Sequence, residues 1–250
     1  MSALLEVSGL CKHFGGLQAV KDASFAIEPG EIVGILGPNG AGKTTLYNLL
    51  TGFIPFDSGS VVFKGRDLRG LAPYRIAGLG ISRTFQLCRP FVGMTVFENV
   101  IVGGLGASGG GSALDAHAHA LLGQVGLAGK EQLAVETLSY GDQRRLEIAR
   151  ALAAKPALLL LDEPFAGLGS GEIADLSALI RSVHADQGLT VMLIEHKLHE
   201  FMRLVDRVIA LDFGEVIAEG TPEDIVRHPA VIEAYIGRGE AEPGEQTDAA

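Results

Sequence analysis

The residues with the clearest chemistry lie in Gly37-Pro38-Asn39-Gly40-Ala41-Gly42-Lys43-Thr44-Thr45. Glycines at this density let the backbone curl until successive N–H groups converge, which makes a concavity for anions. A helix beginning near Lys43 aims the positive end of its dipole at the same point. The spacing Gly-x-x-x-x-Gly-Lys-Thr is that of a P-loop, which grips a nucleotide's phosphates. Lys43 then reaches the β- and γ-phosphates, and Thr44 offers its hydroxyl to Mg²⁺. More than a hundred residues later, Leu158-Leu159-Leu160-Leu161 ends in Asp162 and Glu163. In a P-loop enzyme an Asp at such a strand end stands beside the metal, usually through water. A carboxylate next to it, Glu163, can hold an attacking water in line with the γ-phosphate and accept its proton.

Four further groups fit that chemistry without establishing it. Gln86 ends Arg83-Thr84-Phe85-Gln86, where a strand gives way to a helical segment, and its amide can ligand Mg²⁺ and orient water. His196 follows the apolar stretch Thr190 to Ile194, and from there an imidazole can donate to the γ-phosphate or align the water. His196 and His199 with Glu195 and Glu200 lack a third ligand at a zinc spacing. Phe14, in the turn Phe14-Gly15-Gly16, is placed either to stack on a base or to fill the core. Ser139-Tyr140-Gly141-Asp142 is a second glycine-containing helix start with an exposed hydroxyl. One P-loop already cradles the phosphates, so a second cradle is useful only from another molecule; an ordinary N-cap explains the stretch equally well.

These groups need elements to hold them. Leu4 to Ser8 and Ala23 to Ile27 alternate apolar and polar or small residues, as half-buried strands do. Ile32 to Leu36 forms the strand before the P-loop, and Val61 to Phe63 and Gly80 to Phe85 are two more short strands. From Gln86 to about Thr137 the texture changes: Thr95 to Val102 and Ala113 to Val125 have helical spacing, Leu133 to Leu138 follows a charged break, and Gly103 to Ser112 is a Gly/Ser-rich loop. This predicts a mostly helical subdomain inserted into an α/β core. Ser139 with Asp142 three residues on starts a helix to Ala154, with Leu146, Ala149 and Leu152 inward and Arg144, Arg145 and Glu147 outward. Leu158 to Leu161 and Thr190 to Ile194 read as strands buried on both faces, as a parallel sheet requires. Between them Glu172 to Gln187 is an amphipathic helix. Lys197 to Val205 is another helix, Val208 to Leu211 and Val216 to Glu219 pair, and Thr221-Pro222-Glu223 caps a short helix. Residues 238–250 are polar, Gly/Glu-rich and expected to be disordered.

Bulk properties narrow the classes. The chain has 250 residues, enough for one large domain. Mean hydropathy is positive, yet no apolar run of 18 residues or more exists to span a membrane. No signal peptide is visible at the N-terminus. Two cysteines, Cys11 and Cys88, make no disulfide framework and fit a reducing cytosol. A formal net charge of −10 argues against a nucleic-acid surface. An oily, acidic chain without a span suggests docking on a more hydrophobic partner.

Taken in order, Gly37 to Thr45 resembles Walker A, Gln86 a Q-loop, Leu138-Ser139-Tyr140-Gly141-Asp142-Gln143 an ABC signature, Leu158 to Glu163 Walker B with its catalytic Glu, and His196 the switch His. Over residues 3–237 the chain resembles the nucleotide-binding subunit of an ABC transporter. Lys12-His13-Phe14-Gly15-Gly16-Leu17, Arg83 to Gln86, Ile194-Glu195-His196 and Ile217 to Pro222 are similar to the branched-chain amino acid uptake branch.

The resemblance implies an α/β P-loop NTPase fold: a RecA-like core over residues 3–86 and 138–237, an N-terminal antiparallel β subdomain and a helical subdomain over about 87–137. It implies ATP and Mg²⁺ as cofactors, and hydrolysis through Glu163, His196, Lys43 and Gln86. Nucleotide would be held by Phe14, by Gly37 to Thr45 and by Ser139 to Asp142 of a second copy, and the metal by Thr44, Gln86 and Asp162. It further implies a homodimer, or a heterodimer with a homologous ATPase, peripheral on the cytoplasmic face of the membrane under two permeases served by a binding protein. Tyr140 stands where many ABC proteins carry Gly. Leu168-Gly169-Ser170-Gly171 replaces the usual Asp or Asn-Pro of the D-loop, which suggests flexibility there, and the Gly103 to Ser112 loop is shorter than is usual for the branch. Two other functions share much of this pattern, a lipid or lipopolysaccharide export ATPase and a soluble ABC regulator.

Overall fold

A computed structural model of the chain describes residues 3–106 and 111–236. The expected disorder of 238–250 lies outside these residues, as does part of the Gly103 to Ser112 loop. The first half carries β1 (Leu5–Phe14), β2 (Leu17–Ile27), β3 (Ile32–Leu36), α1 (Lys43–Leu50), β4 (Ser58–Phe63), β5 (Arg66–Asp67), α2 (Pro73–Gly78), β6 (Ile81–Arg83), α3 (Val96–Gly104) and α4 (Ser112–Gln124). A 3-10 turn at Val135–Thr137 leads to α5 (Tyr140–Ala153), β7 (Leu158–Asp162), α6 (Ser170–Gln187), β8 (Thr190–Ile194) and α7 (Leu198–Leu204). β9 (Arg207–Asp212), β10 (Glu215–Gly220), α8 (Pro222–Ile225) and α9 (Pro229–Ile236) complete the fold.

Two sheets form. β2-β1-β4-β5 is antiparallel, and β10-β9-β3-β8-β7-β6 is parallel apart from its β10 edge. The apolar runs of the parallel strands divide residue by residue between two cores, because successive side chains leave a strand on opposite faces. Ile32, Leu36, Leu159, Leu161, Val191, Leu193, Val208 and Ala210 join the core under the helices. Val33, Ile35, Leu158, Leu160, Met192, Ile194, Ile209 and Leu211 join the core shared with α1 and the antiparallel sheet. Each fully buried Leu, Ile or Val side chain contributes roughly 1.5–3 kcal/mol. Gly34 interrupts the pattern for a steric reason: a Cβ there would lie 2.2 Å from the Phe201 ring of α7.

Several elements differ from the sequence expectation. β1 and β2 continue well past Ser8 and start before Ala23, because register shifts after Val7 break the alternation that marks a strand. Leu133 to Leu138, to which the sequence assigns no element, is extended apart from a single 3-10 turn. Its carbonyls serve α3 instead: Val96 N–H donates to Leu133 O at 3.0 Å and Phe97 N–H to Glu131 O at 2.9 Å. That extended stretch satisfies the first donors of α3, which Thr95 and Glu98 also cap reciprocally. At α5 the Ser139 hydroxyl accepts from Asp142 N–H at 3.2 Å, but the Asp142 carboxylate turns to Lys130, so the box is half formed. Ser170 and Gly171 are not a flexible loop. They form the first turn of α6, whose Glu172 carboxylate accepts from Gly169 N–H at 3.0 Å. The six-residue α2 gave no periodic signal, since Ile76 alone of its residues is buried.

Candidate active site

Parallel register brings three loops to one edge. Ile35 lies opposite Ile194, and Asp162 opposite Ile194 on the other side. The turn after β3, the carboxylates after β7 and Glu195-His196 after β8 therefore emerge side by side at the C-terminal ends of the strands, where open α/β sheets bind ligands. The turn is shaped by its neighbours. Gly42, at φ 101°, caps α1 in a left-handed conformation, and a Cβ on it would meet the Ala19 carbonyl at 2.4 Å. Gly214 N–H donates to Ala41 O at 3.0 Å, tying the loop to the β9–β10 turn. Lys43 is buried, its ammonium donating to the carbonyls of Gly37 and Pro38, while Asn39, Gly40 and Thr44 are exposed.

Glu163 is the centre of the arrangement. One carboxylate oxygen lies 3.1 Å from His196 Nε2 and the other accepts from the Gln86 amide at 2.8 Å. Its own backbone has φ 48°, an unusual state for a residue with a side chain, and its N–H is anchored on Ile194 O at 3.0 Å. Asp162 is buried and paired with Arg83, whose Nη2 donates to it at 2.6 Å. Arg83 also donates to Asn48 at 2.7 Å and lies over the rings of Tyr47 and Phe85. Glu195, equally buried, accepts from the N–H groups of Phe165 at 2.6 Å and His196 at 3.0 Å, which fixes the turns bearing Glu163 and His196. Burial pushes its carboxyl up, against those donors.

An open cleft of about 490 Å³ is walled by Phe14, Asn39 to Thr45, Gln86, Glu163 and His196, so most of the expected residues meet on one surface. Phe213, from the β9–β10 turn, joins them; no pattern in the sequence marked it. Thr44, Gln86 and Asp162 share the wall of an adjoining cavity of about 470 Å³. A hydroxyl, an amide oxygen and a carboxylate are the hard donors that Mg²⁺ takes, so these residues fit that ion. Ser139, Tyr140, Gly141 and Asp142 line neither space, at the start of α5. Two residues were misplaced by the helical pattern: Arg144 and Glu147, expected outward, are buried at 2% and 5% exposure.

Comparison with known proteins accords with this geometry. Residues 20–166 match the family model described as ABC transporter, and residues 215–241 the model described as branched-chain amino acid ATP-binding cassette transporter. The chain is 41% identical to the high-affinity branched-chain amino acid transport ATP-binding protein BraF of Pseudomonas aeruginosa, covering 94% of this chain and 98% of BraF. It is 42% identical to the corresponding protein LivG of Escherichia coli, with the same coverage. The ADP conformation of MJ1267, an ATP-binding cassette of an ABC transporter, superposes with a TM-score of 0.87 at 31% identity, over 95% of this chain and 100% of that one. The chain is an ATPase belonging to the ATP-binding cassette family of ABC transporters.

Proposed function

We propose that this chain is the ATP-hydrolysing subunit of an importer for branched-chain amino acids. In this reading it works as a dimer, with itself or with a homologous ATPase, on the cytoplasmic face under two permeases that a binding protein supplies. The similarity to BraF and LivG over nearly the whole chain supports the substrate class. No helix among the described residues is long and apolar enough to cross a membrane, which accords with a peripheral subunit.

The observation that carries the proposal is the position of Glu163, bracketed by Gln86 and His196 on the wall that faces the P-loop. The backbone amides from Gly40 to Thr45 and the Lys43 ammonium hold the phosphates, and Phe14 stacks on the base. Thr44, Gln86 and Asp162 would hold Mg²⁺, which would supply charge neutralisation to the phosphates. Glu163 accepts the proton of the attacking water, and His196 and Gln86 keep its carboxylate aimed. Arg83 holds Asp162, and the exposed Gln86 and Thr44 share with both the wall of the adjoining cavity. Ser139 and Gly141, lying outside the cleft, serve the nucleotide of the second copy.

The test is reconstitution with the permeases and binding protein. A leucine-type amino acid raises ATP hydrolysis, and Glu163→Gln binds ATP normally while hydrolysing it about 100-fold or more slowly. Stimulation only by amides, urea or aromatic acids overturns the solute class. Wild-type turnover in Glu163→Gln overturns the assigned base.

A further inference from the structure

Arg144 and Glu147 are polar side chains buried within the helical layer, and the chemistry above does not use them. Their partners are informative. Arg144 Nη2 donates to the Gln86 carbonyl at 2.7 Å and to the Tyr140 hydroxyl at 2.8 Å; Nη1 donates to the Phe85 carbonyl at 3.2 Å and to Glu147 at 3.3 Å. Glu147 in turn accepts from Phe85 N–H at 2.9 Å. The backbone of Phe85 and Gln86 lies outside any strand, so it has no ladder to satisfy its polar groups. Two side chains of α5 do this in place of a strand. The Tyr140 ring sits over the guanidinium at 5.2 Å and so close to Gly167 that a Cβ there would meet it at 2.8 Å. The clamp is therefore braced on the loop that follows Glu163.

We propose that Arg144, with Glu147, is a positioning residue for hydrolysis: it holds the Gln86 backbone so that the Gln86 amide stays within reach of Glu163. Burying a charge pair is costly unless its geometry and remaining hydrogen bonds are good. The fork of a guanidinium meets two successive carbonyls at once, which the point charge of a lysine cannot do. The pair thus ends on the main chain of Phe85 and of Gln86, and Gln86 is the residue whose side-chain amide donates to Glu163. The inference rests on Glu163 being that base.

The experiment uses the full chain and compares kcat with KM for MgATP. The charge-free pair Arg144→Met/Glu147→Met leaves no orphaned buried carboxylate and is expected to fold. It should lower kcat about tenfold or more with KM changed less than about twofold, the mark of an interaction that acts on the chemical step. Arg144→Lys, which keeps the charge but loses the fork, should fall between the pair and wild type. On a Gln86→Ala background the pair should cost less than about twofold, because the two act as one unit. An unchanged kcat, a parallel rise in KM, or an undiminished cost on the Gln86→Ala background overturns the proposal. If the pair does not fold, Arg144→Lys is read against Gln86→Ala with the same outcomes. Glu163→Gln, measured alongside, separates the two failures: if it turns over normally, the base assignment has failed; if it is inactive while Arg144 is indifferent, this inference alone has failed.

Discussion

At the scale of single residues, Glu163 and the carboxylates beside it carry a local cost. Glu163 takes a left-handed backbone angle, and Asp162 and Glu195 on either side of it are buried charges. Each is held by an identified partner, Arg83 for Asp162 and three N–H groups for Glu195. Cys88, two residues beyond Gln86, reports on the same packing. Burial, with Glu147 nearby, pushes its thiol up to about 11. The neutral form is favoured, so thiolate appears only at high pH. In a Cys11→Ser protein, alkylation of Cys88 should rise about tenfold per pH unit from pH 8 to 10 without levelling, since the thiolate is the nucleophile. A plateau near pH 9 would show a thiol that is solvated and unburied. In the Arg144→Met/Glu147→Met pair the rate should instead begin to level within that range, as the Glu147 charge is gone and the helix releases the segment.

Among the elements, the parallel sheet carries the most constraint. Phe201 of α7 reaches β3 because Gly34 offers no side chain. Gly34→Ala places a methyl carbon 2.2 Å from Phe201 Cζ and should destabilise the chain by about 1–3 kcal/mol, the range of an overpacked core. Chemical denaturation checks it, and Phe201→Leu in the same chain should return part of the loss. The cost matters for function because β3 ends at the P-loop. These strands were legible in advance: continuous apolar runs have one meaning in a sheet covered on both faces. The P-loop, Glu163 and His196 were legible because each follows such a run at its C-terminal end. Arg144 and Glu147 were not. A helix pattern assigns polar residues to the outer face, and nothing in residue order says that the Phe85–Gln86 segment returns to cover it. Phe213 was hidden for a related reason, since its position depends on the Gly214 contact with the P-loop and not on its neighbours in sequence. The stretch before Ser139 carried no element assignment in sequence, because its pairing with the start of α3 depends on residues far from it in the chain.

For the whole molecule, the informative fact is which expected nucleotide residues do not meet. Lys43, Thr44 and Phe14 wall the cleft; Ser139 and Gly141 lie at the start of α5, away from it. In the proposed reading both sets serve ATP, so a second copy supplies one of them and a closed pair has two shared sites. That separates binding from association experimentally. Glu163→Gln with ATP should accumulate as a species of about twice the 26.2 kDa chain mass, seen by light scattering. Adding Ser139→Arg should abolish that species while leaving the ATP affinity of the single chain within about twofold, because no cleft residue has changed. Adding Lys43→Ala should remove both, since the phosphate grip is lost before any partner arrives. If Glu163→Gln associates only when the homologous ATPase is supplied, the pair is mixed, and the Ser139→Arg comparison is made in that pair. Association that survives Ser139→Arg, or single-chain affinity that falls with it, would show that the start of α5 does not face a neighbour's triphosphate.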